Sequence, residues 1–295
     1  MEKVRIAHIS DLHFSKITLS PSQFFSKRWI GNLNLLLLRR NAFQAERVEE
    51  FFLYLKENKV DFLVITGDLS STSLKEEFAQ AREFVCRVEM LGTRVIVIPG
   101  NHDHYTRRSW KDKVYYNYFP ESFQEKSAWR LKEDGMTVVD LSENWALVAL
   151  DTALATSWTS SCGLFSQKHE MNISRVLRSM APEKQVIVIN HFPLFDTDQE
   201  SKILKRAEVF RDILKEFSNV RFYLHGHTHR HSIADLTPSG LPIVLDSGSL
   251  VDRCGGYFHL IDLFPKEARL TAFQKNQKQG EGWLKKQEMA WSFHE

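Results

Sequence analysis

Four β-branched residues in a row, Val95-Ile96-Val97-Ile98, run directly into Pro99-Gly100-Asn101-His102-Asp103. Such a run reads as a strand buried on both faces, and the proline and glycine end it. The next three residues then bring an amide, an imidazole and a carboxylate to the carboxyl edge of a sheet, where open α/β folds keep their chemistry. On its own the stretch reads equally well as a β-turn, because Gly, Asn and Asp are turn formers.

Four other apolar runs end in the same way. Val4 to Ser10 leads into Asp11-Leu12-His13, and Phe62 to Thr66 into Gly67-Asp68. Gln185 to Ile189 leads into Asn190-His191, and Val220 to Leu224 into His225-Gly226-His227-Thr228-His229. In extended chain, residues two apart point the same way, so Asp11 and His13 can grip one ion together. Helical patterns at Arg47–Asn58, Ser73–Leu91, Ser166–Met180 and 203–216 alternate with these strands, which predicts a parallel sheet. Ser73, followed by Glu76, is the expected N-cap of the second helix, and Ser166 that of the third.

Thr137–Leu141 and Trp145–Leu150 read as a hairpin, and the aromatic stretch 104–135 as a surface loop region with local packing. After His229 the short runs His231–Leu236, Pro242–Leu245, Tyr257–Leu263 and Ala268–Phe273 alternate without helices, as in an antiparallel sheet. The expected organisation is one α/β domain over 1–273, with an inserted cap at 15–45. A Lys-rich tail over 274–295 follows, with Trp283 and Trp291 as anchors.

A hydrophobic fraction of 43% with 26% charged residues suits a large core, and a net charge of +2 argues for no particular partner. Cys86, Cys162 and Cys254 form no CxxC pair, which disfavours a disulfide framework and a thiolate zinc site and points to a reducing cytoplasm. Met1-Glu2-Lys3-Val4 enters a strand at once, so no signal peptide is expected, and no apolar run approaches the ~20 residues of a membrane span. From Phe14 to Ala45 there is no acidic residue, while Lys16, Lys27, Arg28, Arg39 and Arg40 are basic. Phe25, Trp29, Leu33 and Leu37 recur there at helical spacing. Two readings stay open: a helix packed on the body, or a basic apolar cap over residues 24–40 that meets a lipid surface or a greasy anionic substrate.

Asp-x-His, Gly-Asp, Gly-Asn-His-Asp, His and Gly-His-x-His, in that order over residues 11–229, resemble the calcineurin-like metallophosphoesterase superfamily. The resemblance implies a four-layer α/β/β/α sandwich with two divalent metal ions at the sheet edge. By the same resemblance Asp11, His13 and His229 would hold one ion, Asn101, His191 and His227 the other, and Asp68 both. His102 would face the scissile phosphate and serve the departing oxygen, with Asp103 orienting it through the ring's other nitrogen. Imidazole, carboxylate and amide ligands without thiolate suit Mn, Fe or Zn. A pair of such ions activates water and clamps both oxygens of an in-line displacement.

Within that superfamily the chain resembles the bacterial branch of class III cyclic-nucleotide phosphodiesterases and UDP-diacylglucosamine pyrophosphohydrolases. The expected reaction is therefore hydrolysis of a phosphodiester or pyrophosphate in a nucleotide or nucleotide-linked lipid. A nuclease is the alternative enzyme, disfavoured by the near-neutral charge. A metal-free scaffold is the alternative of another class, disfavoured because every ligand position is occupied.

Overall fold

A computed structural model describes residues 3–15, 45–120, 127–155, 160–196, 200–252, 255–276 and 282–293. The insert expected near 15–45, including residues 24–40, lies outside the described residues apart from its two ends.

Two six-stranded sheets carry the fold. The first takes the order β14 (Trp283–Ser292)-β13 (Glu267–Lys275)-β12-β1-β2-β3 and the second β10-β11-β9-β7-β5-β4, while β6 (Gly163–Leu164) and β8 (Leu204–Lys205) form a separate two-stranded pair. In the first, β1 (Val4–Ile9), β2 (Phe62–Ile65) and β3 (Arg94–Val97) are parallel, and β12 (Tyr257–Phe264) pairs with β1 antiparallel. In the second, β5 (Trp145–Leu150), β7 (Gln185–Ile189), β9 (Val220–His225) and β11 (Ile243–Ser247) are parallel. The edge strands β4 (Met136–Asp140) and β10 (His231–Asp235) are antiparallel to β5 and β11. The parallel strands of each sheet thus present their carboxyl ends along one edge.

Alternation along the strands assigns the layers. Ile187 and Ile189 of β7 join the core between the sheets, with Ile6, Val64 and Leu224. Val186 and Val188 of the same strand face α3 (Gln167–Ser179) and α4 (Ala207–Glu216), through Ile173, Val176, Phe210 and Leu214. On the first sheet's outer face lie α1 (Ala45–Glu57), with Val48, Phe51 and Leu55, and α2 (Lys75–Glu89), with Phe78, Ala81, Val85 and Val88. These are the helical spacings that bury one stripe. The result is an α/β/β/α sandwich.

Three local expectations need correction. Ser73 is not the cap of α2: the helix begins after Leu74, and the Glu77 carboxylate accepts from the Thr72 and Leu74 amides. Ser73 Oγ instead donates to the His102 carbonyl and accepts from the Tyr105 amide. The strands after His229 do not form one antiparallel sheet; β10 and β11 join the second sheet, where β11 runs parallel to β9, while β12 joins the first. The expected tail contains β14 (Trp283–Ser292), which pairs with β13 (Glu267–Lys275) along its length. Met289, Trp291 and Phe293 alternate inward there, a period hidden in the sequence by the intervening Lys, Gln and Glu. No helix among the described residues is long and apolar enough to cross a membrane.

Candidate metal centre

The ends of β1, β2, β3, β7 and β9 bring their polar residues to one place. Asp11, His13 and His229 form one group whose ligand atoms lie within 4.8 Å of one another, and Asp68, His191 and His227 form a second. His13, Asp68 and His102 form a third such group, so His102 borders the centre. Asp68 Oδ2 lies 3.8 Å from His13 Nε2 and 3.4 Å from His191 Nε2, between the first two groups. Asn101 Oδ1 lies 3.1 Å from His191 Nε2.

Each central carboxylate divides its oxygens between backbone and centre. Asp11 Oδ2 accepts from the His227 amide at 3.0 Å, and Asp68 Oδ1 from the His102 amide at 2.8 Å. Asp11 Oδ1 is buried without a hydrogen-bond partner among the described residues, 3.2 Å from His229 Nε2 and 3.7 Å from His13 Nε2. The imidazoles are fixed from behind. His191 Nδ1 lies 2.8 Å from the Thr66 carbonyl and His227 Nε2 lies 3.1 Å from the Lys202 carbonyl. A carbonyl only accepts, so those two nitrogens are the donors, which leaves His191 Nε2 and His227 Nδ1 as the ring atoms a cation would take in place of a proton. A buried carboxylate oxygen without a hydrogen-bond partner beside such imidazoles fits a hard or borderline cation.

The backbone is strained at the same points. Asp11 (φ 56°), His13 (φ 47°), Asp68 (φ 55°), His227 (φ 71°) and His229 (φ 57°) all occupy the left-handed region that side-chain-bearing residues seldom adopt. Close approach leaves no room for a side chain between the motifs: a Cβ on Gly226 would collide with Ser10 Oγ and Asp11 Oδ2, and one on Gly100 with the Asp68 carboxylate. The small residues in these motifs therefore set how closely the loops approach.

Charge compensation is local. Burial pushes the Asp68 carboxyl up, but the imidazoles of His191, His102 and His13 outweigh it and hold it below its usual range. Asp11 is likewise pushed up by burial and pulled well below its usual value by His229, His13 and His191. Burial lowers His191, yet the Asp68 carboxylate raises it to about 9. His227, with burial dominant, falls to about 3.

The expected link between Asp103 and the His102 ring is not formed. His102 Nδ1 instead faces the Ser71 carbonyl at 2.7 Å. The buried Asp103 carboxylate accepts from the amides of Leu69, Ser70 and Gly100 at 3.1, 2.8 and 3.0 Å, and from Ser70 Oγ at 2.9 Å. It therefore clamps the loop bearing Asp68 to the loop bearing Asn101 and His102. Burial and the neighbouring Asp68 raise it to about 6 despite those amides.

Sequence reasoning missed two supports. Asp246 Oδ2 accepts from Thr228 Oγ1, between His227 and His229, and Ser249 Oγ donates to the Asp11 carbonyl. The signal was present in Asp246-Ser247-Gly248-Ser249, but nothing in the spacing identified its partners. Beneath the centre lies a layer of histidines from both sheets. His8 opposes His259 across β1 and β12, and His259 meets His231, which stacks on Tyr257.

A two-sheet sandwich with buried aspartates and histidines at its strand ends is the build of a metal-dependent hydrolase. The chain belongs to the calcineurin-like phosphoesterase family, whose model matches residues 4–231. It is 26% identical over 181 residues to the 3',5'-cyclic adenosine monophosphate phosphodiesterase CpdA of Haemophilus influenzae. That match covers 59% of this chain and 57% of that enzyme, less than two thirds of its length. It is 24% identical over 235 residues to a probable cyclic nucleotide phosphodiesterase of Psychrobacter arcticus, covering 77% of this chain and 74% of the relative. In fold it is similar to a dimetal phosphatase from Danio rerio, with a TM-score of 0.67 at 13% identity over 99% of both chains.

Proposed function

We propose that the chain hydrolyses a small-molecule phosphodiester, with a cyclic nucleotide the favoured substrate, using two divalent cations. One would sit among Asp11, His13 and His229, the other among Asn101, His191 and His227, with Asp68 shared. The observation that carries this reading is the position of Asp68 Oδ2, within 4 Å of a histidine from each group. When bound, the cations supply the charge that offsets the phosphoryl oxygens and the acidity that makes water a nucleophile at neutral pH. Mn, Fe and Zn all suit these donors.

The chain's own side chains account for the remaining roles. His102 keeps Nδ1–H on the Ser71 carbonyl, which leaves Nε2 to hold a proton for the departing oxygen. Asn101 contributes a neutral amide, so it adds no negative charge where the phosphate must approach. Asp103 holds the Asp68 and His102 loops in register.

The likeness to a 3',5'-cyclic adenosine monophosphate phosphodiesterase and to a probable cyclic nucleotide phosphodiesterase supports that substrate class. A nucleotide-linked lipid, with membrane contact through residues 24–40, rests on the sequence of that segment alone. Purified protein supplied with Mn²⁺ is therefore expected to cleave bis(p-nitrophenyl) phosphate and cyclic AMP, and to leave phosphopeptides largely intact. Rapid phosphopeptide cleavage with neither diester touched sinks the proposal; turnover of UDP-diacylglucosamine in preference to cyclic AMP replaces the substrate and keeps the chemistry.

A further inference from the structure

Behind His191 lies a buried polar network that none of the roles above uses. Asn190 Oδ1 accepts from Thr152 Oγ1 at 2.6 Å and from the His191 amide at 2.9 Å. Asn190 Nδ2 donates to the Tyr223 hydroxyl at 3.0 Å, and that hydroxyl donates to the Phe192 carbonyl at 2.6 Å. Asn190 and Tyr223 are fully buried and Thr152 is 2% exposed. The three come from the ends or body of β5, β7 and β9, so the network ties three neighbouring strands of the second sheet together.

Its placement is specific. The chain on both sides of the His191 side chain is held, at its own amide by Asn190 and at the next carbonyl by Tyr223. The ring is held at a third point by the Thr66 carbonyl. A buried network with every partner supplied resists small displacements, because each bond in low dielectric is costly to leave unmade. Packing alone does not require it, since a phenylalanine at 223 would fill nearly the same volume. We infer that Asn190 and Tyr223, with Thr152 behind them, are positioning residues that set the cation affinity of the His191 site and not that of the Asp11/His13/His229 site. The inference rests on the two-cation reading given above.

The test is Mn²⁺ titration of chelator-stripped full-length protein, with free Mn²⁺ counted by electron paramagnetic resonance. Wild type is expected to bind two ions. Tyr223→Phe and Asn190→Ala should weaken one of them by about tenfold to a hundredfold, the usual effect of removing a partner behind a ligand, and leave the other within error. Thr152→Val should act in the same direction, and Thr152→Ser, which keeps the hydroxyl, should restore the affinity. The kcat of Tyr223→Phe should recover at saturating Mn²⁺ with KM little changed. Thr137→Val, which removes a buried hydroxyl bond to the Trp129 carbonyl on the far edge of the sheet, should lower Tm without affecting either ion. If Tyr223→Phe behaves like that control, or weakens both ions equally, the inference is overturned and the two-cation reading stands. If wild type binds fewer than two ions, the two-cation reading fails and the inference with it. Should Tyr223→Phe not fold, the Thr152→Ser and Thr152→Val pair gives the same readout.

Discussion

His102 Nδ1 lies 2.7 Å from the carbonyl oxygen of Ser71, which makes that nitrogen the proton-bearing one and turns Nε2 toward the centre's open side. The ring is thus oriented by backbone, and Asp103 is released for a different task. His102→Gln is expected to slow hydrolysis of an alkyl-leaving diester by about 10²–10⁴-fold, the range of general acid catalysis. Bis(p-nitrophenyl) phosphate, whose leaving group needs no proton, should lose far less, with metal content unchanged in elemental analysis. Equal losses on both substrates would remove the proton-donor role.

Asp103→Asn separates the clamp from an orienting role. The amide cannot accept from three backbone N–H groups as the carboxylate does, and its NH₂ must face one of them. The variant should lose roughly 2–3 kcal/mol in urea unfolding and bind metal more weakly. The pH profile of whatever activity remains should match wild type. A shifted profile with unchanged stability would instead return Asp103 to the imidazole.

Asp68→Asn keeps an oxygen for the His102 amide but removes the charge placed between His13 and His191. A shared ligand predicts that both cations are affected at once. Metal content should fall below one per chain, and hydrolysis by more than the roughly 10–100-fold that loss of an outer partner costs. Retention of one full equivalent would mean that Asp68 serves a single ion.

The histidines under the centre predict an acid limb of stability. His259 is buried, with neither ring nitrogen hydrogen-bonded among the described residues. Burial, then His8, His231 and His225, hold it well below its usual value. His8 falls to about 3 through burial, with His225 and His231 adding to the shift and Asp11 opposing it. Below pH 6.5 the unfolded chain therefore binds protons that the folded chain refuses, and stability drops as pH falls toward 3. Each such histidine contributes about 1.4 kcal/mol per pH unit in that window. In the presence of a chelator, His259→Leu should show a shallower decline in urea midpoint between pH 6.5 and 4. A slope identical to wild type would mean that His259 is free to protonate in the fold.

The strand ends were legible because β-branched runs stopped by Gly, Pro or Asx leave few other placements for the residues that follow. Order along the chain then matched Asp11, His13, Asp68, Asn101, His191, His227 and His229 to one centre. What the sequence concealed was orientation. Nothing in the letters Asp11, His13, Asp68, His227 or His229 marks a left-handed backbone, since glycine is the usual sign and is not there. Asp103 follows His102 directly, which favours a link between the two, yet the turn sends its carboxylate to residues 69, 70 and 100. Tyr223 reads as a strand aromatic, and only the tertiary structure gives its hydroxyl a partner on each side.

The same blindness hid β14, and its removal is the corresponding test. Phe293 is buried at its end, with its ring centroid 5.8 Å from that of Trp145 and 6.0 Å from that of Phe222, both on the second sheet. Its amide bonds to the Lys266 carbonyl at the turn between β12 and β13 of the first sheet. Trp291 Nε1 reaches Asp235 of β10 at 3.0 Å. The segment therefore closes the sandwich at the side away from the ligand-bearing loops. Phe293→Ala should cost about 3 kcal/mol, the lower range for a buried phenylalanine, while metal stoichiometry and KM stay at wild-type values. A cost below about 0.5 kcal/mol, the level of an ordinary surface change, would mean that this segment is a solvated tail after all.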